Sequence, residues 1–165
     1  MARMKIKISD KDKGWNKLMS QFLSKTQAAT VDTGILVETD GPKMNLKGEA
    51  TNSSLMEVAI ANEFGTSTIP SRSFIREPFD RTEGYVKLRK SLWKRVINGE
   101  IDLSQALHIL GSATVKSFQK TIKNVILPLN ADSTIRAKQE SSAQSIPLIA
   151  TGQLLNSISY RVNKK

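Results

Sequence analysis

The chain has 165 residues, which suits one domain with a buried core, and 39% of them are hydrophobic. No stretch approaches the ~18 continuous apolar residues of a membrane-spanning helix, and residues 1–7 lack the apolar core of a signal peptide, so we expect a protein assembled in a cytoplasm. The chain contains no cysteine, which excludes disulfides, thiolate metal sites and thiol nucleophiles.

The net charge of +10 is unevenly distributed along the chain. Residues 26–71 hold six acidic side chains and two lysines, whereas basic residues gather in 1–25, in 72–95 and after 115. Separate acidic and basic regions can bind nucleic acid, and they can equally bind acidic proteins or further copies of the same chain. Composition alone leaves these alternatives open.

The first elements in chain order are a strand, a helix and a second strand. Residues 2–9 alternate apolar and basic side chains, the period-2 pattern of a half-buried strand. Apolar residues then recur at helical spacing from Asp12 to about Gln27, and residues 30–39 are rich in β-branched side chains. A turn at 40–42 ends the second strand.

The next region predicts a loop followed by a helix. Residues 41–53 show no periodicity and are predicted to form a loop that could be mobile. Ser54 and Glu57 have the spacing of a capping box, and the helix that they begin should end at Phe64-Gly65.

Residues 61–80 form an unusual connector, because they hold three of the five phenylalanines and two of the five prolines. The chain should leave a helix at Gly65, run extended around Ile69-Pro70 and enter the next helix at Phe74 or Phe79. Such a constrained segment presents aromatic and arginine side chains.

Two long helices should follow the connector as an antiparallel hairpin. The first runs to Ile97 and is stopped by Asn98-Gly99, and the second begins at the capping-box pattern of residues 102–105 and reaches about Val125.

The C-terminal part predicts a polar connector at 130–147 with a short helix around Ser133–Gln139. A helix at 151–157 and a strand at 158–162 should then return the chain to the sheet. The fold class is α+β: one domain, residues 1–165, with a small mixed or antiparallel β-sheet packed against a long helical hairpin and shorter helices.

Catalytic residues are not apparent in the sequence. His108 has no Cys, Asp or Glu three or four residues away, and Glu57 and Glu63 lie on different faces of one helix. Phosphate-binding loops and dinucleotide glycine patterns are absent from the sequence. We therefore expect no enzyme, no cofactor and no metal site.

The first long helix carries a basic stripe. These side chains are candidate contacts for DNA or an acidic partner, although a solvated face explains them equally well and no helix-turn-helix or zinc pattern accompanies them. They are Lys87, Arg89, Lys90, Lys94 and Arg95.

Two segments resemble one known family. Residues 63–66 read Glu-Phe-Gly-Thr, residues 69–75 read Ile-Pro-Ser-Arg-Ser-Phe-Ile, and residues 147–158 read Pro-Leu-Ile-Ala-Thr-Gly-Gln-Leu-Leu-Asn-Ser-Ile. In this order they are similar to signatures of the neck and tail-completion proteins of tailed bacteriophages, a group related to virion-morphogenesis and minor tail components. One departure is Ala150, where that family frequently has Asp.

The resemblance implies a noncatalytic virion structural protein at the head-tail connector, or neck, assembled in the host bacterial cytoplasm. Its partners would be other copies in a ring, expected to be a hexamer, together with the head-closure protein and tail-terminator or tail-tube proteins. Nonspecific contact with the passing genomic DNA is a further expectation. The alternative from charge is a basic nucleic-acid-binding accessory protein.

The two signatures also supply candidate subunit contacts. The phenylalanines are candidate anchors and the arginines are candidate partners for acidic residues, while packing of the phenylalanines onto their own core is the alternative. The candidates are Phe64, Arg72, Phe74, Ile75, Arg76, Phe79, Thr151, Gly152 and Leu154.

Overall fold

The computed structural model describes residues 29–80, 83–124, 128–141, 143 and 145–164. The predicted strand at 2–9 and the predicted helix at 12–27 lie outside the described residues, as does Val125. The described chain forms four strands and six helices. The strands are β1 Ala29–Ile35, β2 Pro42–Met44, β3 Ala50–Ser54 and β4 Ile158–Lys164; the helices are α1 Leu55–Phe64, α2 Arg76–Asp80, α3 Glu83–Ile97, α4 Leu103–Lys123, α5 Asp132–Glu140 and α6 Gln153–Ser157.

Strands β1 and β4 form an antiparallel pair in which Val31 faces Val162 and Thr33 faces Tyr160. Paired residues share a face of the sheet, and α4 packs on this one, with Gly111 directly over the Tyr160 ring. The predicted strands at 30–39 and 158–162 are both present, although the first ends at Ile35, and the sheet is antiparallel.

The other face of this sheet is polar. The Asn163 side chain donates to Asp32 Oδ2 at 2.6 Å, and Arg161 lies 3.7 Å from the Asp32 carboxylate and 2.5 Å from that of Glu38. One apolar and one polar face explain why the β1 sequence alternates.

The prediction of a loop at 41–53 is wrong, because β2 and β3 form an antiparallel hairpin there. The Asn45 side chain accepts hydrogen bonds from the N–H groups of Lys47 and Glu49 at 2.9 Å each and so builds the turn. The side chains of both strands are exposed or half-buried, so neither strand has an apolar face. The sequence therefore lacks the alternation of apolar and polar residues that predicts a strand.

Both predicted capping boxes are confirmed. Ser54 Oγ accepts from the Glu57 N–H and the Glu57 carboxylate accepts from the Ser54 N–H; Asp102 and Gln105 make the same exchange. Helix α1 ends at Gly65, whose φ of +79° favours glycine.

The helical hairpin is also confirmed, with a difference at its start. The residues after the connector form a short helix, α2, before α3 begins at Glu83. Leu92 late in α3 and Leu103 early in α4 line one groove, whereas Gly84 at the start of α3 and Thr121 late in α4 line another. The two long helices are therefore antiparallel.

The core lies where these elements meet the C-terminal segment, and the predicted α5, α6 and β4 are present. The fold is α+β. In the part of the chain that the structure describes, no helix is both long and apolar enough to cross a membrane. The buried core side chains are Ala59, Phe74, Phe118, Ile122, Leu154 and Ile158.

Candidate subunit interface

A buried carboxylate organises the connector between α1 and α2. Glu63 Oε2 accepts from the N–H groups of Phe74 at 2.8 Å and Ile75 at 3.0 Å. Its Oε1 accepts from the Ser73 hydroxyl at 2.6 Å, and from the N–H and Nε of Arg76 at 3.1 and 3.0 Å. Five donors thus converge on one side chain that is almost fully buried.

The hydrogen bonds keep Glu63 ionised despite its burial. Burial would raise the pKa of this carboxyl, but the bonds from Ser73, Ile75 and Arg76 together outweigh it, and the net effect lowers the pKa. A charged carboxylate accepting backbone N–H groups forms strong bonds, so the connector is held firmly against the end of α1.

The connector begins with a hydrogen-bonded turn and a close approach between backbone segments. Thr66 N–H donates to the Ile69 carbonyl at 2.7 Å, which closes a turn directly after α1. A side chain at Gly65 would lie 3.0 Å from the Ser71 nitrogen, so glycine is required there by close approach as well as by φ.

Arg72 ties the connector to the end of the helical hairpin. Its Nε donates to the Pro128 carbonyl at 2.7 Å and one Nη to the Leu129 carbonyl at 3.0 Å, while its backbone N–H donates to the Asn62 carbonyl at 2.6 Å. Burial lowers the pKa of this guanidinium, which stays charged at neutral pH because an arginine pKa lies so far above 7.

Lys138 on α5 binds backbone carbonyls at the start of the C-terminal signature segment, as Arg72 binds backbone carbonyls after α4. Its Nζ donates to the carbonyls of Ile146 at 2.7 Å and Ile149 at 2.6 Å. Burial, and then the charge of Arg72, lower the pKa of this ammonium. Lys138 was not among the predicted residues, because no sequence pattern around it distinguishes it from surface lysines.

The two signature segments pack against each other. Phe74, with 1% of its surface exposed, shares one core with Leu154 and Ile158, and α1 contacts α6. The Met44 N–H donates to Gln153 Oε1 at 2.8 Å, which joins the β2–β3 hairpin to the same unit. Segments that are far apart in the chain therefore form one structural unit.

Three predicted contact residues are internal to this chain. Arg72, Phe74 and Leu154 are all buried, and the donors of Arg72 bind carbonyls of its own chain. This corrects the prediction that they face a neighbouring subunit, since a buried side chain cannot reach one in this conformation. For Phe74 the alternative, packing onto its own core, is the observed one.

The other candidates lie at or near the surface. Phe64 is 64% exposed, and the Arg76 guanidinium lies over its ring, 5.0 Å from the centroid. Phe79 is partly exposed between the rings of Tyr85 and Phe118, and Ile75 is half-buried. Thr151 is exposed, and Gly152, with φ of +78°, precedes α6.

All five predicted basic residues of α3 are exposed. Lys87 pairs with Glu83 at 3.3 Å and Arg95 with Glu100 at 3.5 Å. Arg89, Lys90 and Lys94 make no ion pair with the described carboxylates, so their charge faces outward.

The single histidine of the chain lies beside a tyrosine. His108 is exposed, and its Nδ1 lies 3.4 Å from the Tyr160 hydroxyl. Over residues 29–164, apart from the short gaps named above, no three His, Asp or Glu side chains gather as metal ligands.

The fold and this unit define a small α+β protein whose connector is fastened by buried charges. Comparison of the chain with models of protein families, with curated proteins and with solved structures gives no match.

Proposed function

We propose that this protein is a noncatalytic structural subunit of a tailed-phage virion, a neck or tail-completion protein that forms a ring and joins the tail to the head-closure protein. The observation that carries the proposal is the packing of the two signature segments into one unit, through Phe74 and Leu154. Segments that are far apart in the sequence thus form one structural unit, which is what we expect of two parts of one family signature.

The way the connector is held supports a structural role. Glu63 and Arg72 use buried charge to fix a segment that a simple loop would leave flexible, and buried charges are costly unless they are fully bonded. A ring subunit needs such rigidity, because small errors in the angle of each contact accumulate around a closed ring.

Electron microscopy of the tailed particles tests the proposal. Antibody raised against this chain should label the junction of capsid and tail, and particles lacking the protein should accumulate as separate heads and tails. Label distributed over the capsid or tail tip, or particles that join normally without the protein, would exclude a neck role.

The basic helix faces favour a second candidate, a nucleic-acid-binding accessory protein. Arg89, Lys90 and Lys94 face outward, and Lys116, Lys120 and Lys123 form a further exposed stripe on α4. Phosphate contacts of this kind weaken steeply as salt is raised. A stable monomer that binds duplex DNA tightly, with a steep salt dependence, would favour this candidate over the neck protein.

A further inference from the structure

One edge of β1 has no strand beside it among the described residues. The strand pairs with β4 along its other edge, and in an antiparallel pair every second residue directs its N–H and C=O groups away from the partner strand. Within the described parts of the chain, no group outside β4 makes a hydrogen bond to the backbone of residues 29–35. At such an edge an extended peptide can be added as a further strand.

A groove lies between β1 and α1. Its volume is about 290 Å³, and its walls come from the end of β1, from α1 and from the connector. No residue of β4 or α4 lines it, so it lies beside the edge of β1 that β4 leaves unpaired. An added side chain at Gly34 would meet no atom within 4 Å, so the strand is open to approach there. The apolar walls are Ile35, Met56, Ala59, Ile60, Phe64 and Ile75.

The walls of this groove are held in place by contacts within the chain. The buried Glu63 carboxylate accepts the Ile75 N–H at 3.0 Å, which fixes the connector wall against α1. On the α1 wall, Ile60 is 54% exposed and Phe64 is 64% exposed. A preformed apolar surface of this kind loses little conformational entropy when a partner binds.

A single exposed cation borders the groove. The Arg76 guanidinium lies 5.0 Å from the centre of the Phe64 ring, and its side chain is 55% exposed. Its Nε donates to Glu63 Oε1 at 3.0 Å and its Nη2 donates to the Glu63 carbonyl at 3.1 Å. Because a guanidinium has five N–H groups and these bonds use one each on Nε and Nη2, three remain for a ligand.

The carboxylates of α1 leave Arg76 as the charge that a ligand meets. Among the described residues, Glu63 is the only other charged residue in the walls, and it is buried with both oxygens occupied. Glu57 does not line the groove, and its carboxylate accepts the Ser54 N–H at the opposite end of the helix. The groove therefore combines an apolar surface with an exposed guanidinium.

We propose that this groove binds an extended acidic peptide segment of a partner protein. The segment adds to β1 as a further strand, places an apolar side chain between Ile60 and Ile75, and brings a carboxylate to Arg76. Because side chains of a strand alternate between its two faces, the apolar and the acidic residue are two positions apart. An arginine positioned over an aromatic ring is well suited to a carboxylate. The site does not depend on the proposed function.

Peptide binding to the full chain tests the site, with fluorescence anisotropy as the readout. The probe is a labelled, end-capped peptide, Thr-Val-Thr-Leu-Thr-Glu-Thr, in which leucine and glutamate are two positions apart. It should bind about five-fold more tightly than the same peptide with glutamine in place of glutamate, the effect of one exposed ion pair. This preference should fade as salt is raised. The peptide Thr-Val-Thr-Thr-Leu-Glu-Thr, with leucine and glutamate adjacent, should bind more weakly.

Two isoleucines provide a matched pair of variants. Ile60→Asp places a carboxylate in the groove and removes an apolar contact, so it should weaken binding of the glutamate peptide about ten-fold. Ile97→Asp is the control, because Ile97 lies outside the groove on α3 and is 49% exposed. It should leave binding unchanged. Circular dichroism and the melting temperature show that each variant is folded.

Two arginines separate the charge of Arg76 from charge elsewhere. Arg76→Gln should abolish the preference for glutamate over glutamine, whereas Arg89→Gln on α3 should keep it. Because Arg76 also bonds to Glu63, its variant can lose stability. The comparison of the two peptides on the unaltered chain, together with the isoleucine pair, decides the proposal in that case.

Nuclear magnetic resonance identifies the surface that the peptide contacts. The backbone amide signals of Thr33, Gly34 and Ile35 should shift as the glutamate peptide is added, while those of Lys90 and Lys94 should not. Amides at the unpaired edge of β1 should also gain protection from hydrogen exchange, because an added strand supplies their partners.

Several results would overturn the site. These are equal binding of the glutamate and glutamine peptides, equal effects of Ile60→Asp and Ile97→Asp, and amide shifts confined to the basic faces of α3 and α4, which would mean nonspecific attraction. If the β1 amides shift with protein concentration alone, a second copy of the chain occupies the groove and the peptide proposal is wrong. None of these outcomes bears on labelling of the neck, which tests the proposed function separately.

Discussion

The connector buries its most unusual side chains, whereas helices α1 and α3 expose apolar side chains. The connector holds arginine, phenylalanine and proline, residue types that often mark binding surfaces, yet Arg72 and Phe74 turn inward. The helices look ordinary in sequence, yet they expose Ile60, Val86 and Ile97. The unusual local sequence marks a segment whose backbone is bonded by side chains, and the exposed apolar residues lie on the regular helices.

The difference has a physical cause. A segment without helix or sheet bonding must satisfy its N–H and C=O groups by other means, and Glu63 and Arg72 supply the missing partners. A helix satisfies its own backbone and is free to present one side chain in three or four to a partner.

The largest expected effect is the loss of the Glu63 carboxylate. Glu63→Ala leaves the N–H groups of Phe74 and Ile75 without partners in the interior, at about 1–3 kcal/mol for each buried group. We expect unfolding or a loss of several kcal/mol, measured by urea denaturation.

Glu57→Ala is the matched control for Glu63→Ala on the same helix. It removes only the exposed half of a capping box, an effect of about 0.3–1.5 kcal/mol. Equal losses for the two variants would show that the buried carboxylate does not fasten the connector.

Phe64, the last residue of α1, and Phe74, inside the connector, should differ sharply in their contribution to stability. Phe74→Ala opens a cavity in the core and should cost about 3–5 kcal/mol. Phe64→Ala is a surface change that should alter stability by no more than about 0.5 kcal/mol. Thermal melts of both variants check this, and a large stability loss for Phe64→Ala would contradict the contrast.

Features that depend on local sequence were predictable. The capping residues Ser54 and Asp102 act on N–H groups three residues away, and Gly65 stops a helix by its own backbone preference, so each carries its information within one turn. The β-branched residues of β1 likewise predicted a strand, although its partner β4 lies at the far end of the chain.

Features that depend on distant partners were not predictable. Lys138 is buried because the carbonyls of Ile146 and Ile149 fold over it, and nothing near it in sequence indicates this. The β2–β3 hairpin was not predicted, because its side chains are exposed or half-buried and so show no alternation of apolar and polar residues. Exposure of Phe64 beside buried Phe74 depends on the path of the whole connector.

Two glycines in the helical hairpin give opposite predictions. A Cβ at Gly111 would lie 2.3 Å from the Tyr160 ring and 2.9 Å from Val31, so Gly111→Ala should overpack the contact of α4 with the sheet and cost about 1–3 kcal/mol. Gly84, in the first turn of α3, has no atom within 4 Å of the added Cβ, and Gly84→Ala should stabilise by about 0.4–1 kcal/mol. Melting temperatures of the pair check both signs, and a stabilising Gly111→Ala would show that α4 does not rest on Tyr160.

The smallest expected effect is the response of the connector to acid. Unfolded Glu63 titrates near the ordinary value of about 4.3, and the folded carboxyl titrates lower, because its hydrogen bonds outweigh its burial. Between the two values the unfolded state binds more protons, so the stabilisation is full above the ordinary value and is lost as the pH falls through the folded one.

One carboxyl changes stability by at most about 1.4 kcal/mol per pH unit. Urea denaturation across this range should therefore show a shallower decline for Glu63→Gln than for the wild type, and an unchanged decline for the surface variant Phe64→Ala. Carbon-13 NMR titration of the Glu63 carboxyl measures the folded pKa directly. A value at or above the ordinary one would mean that burial outweighs the five hydrogen bonds, and that the connector is held by packing around Phe74.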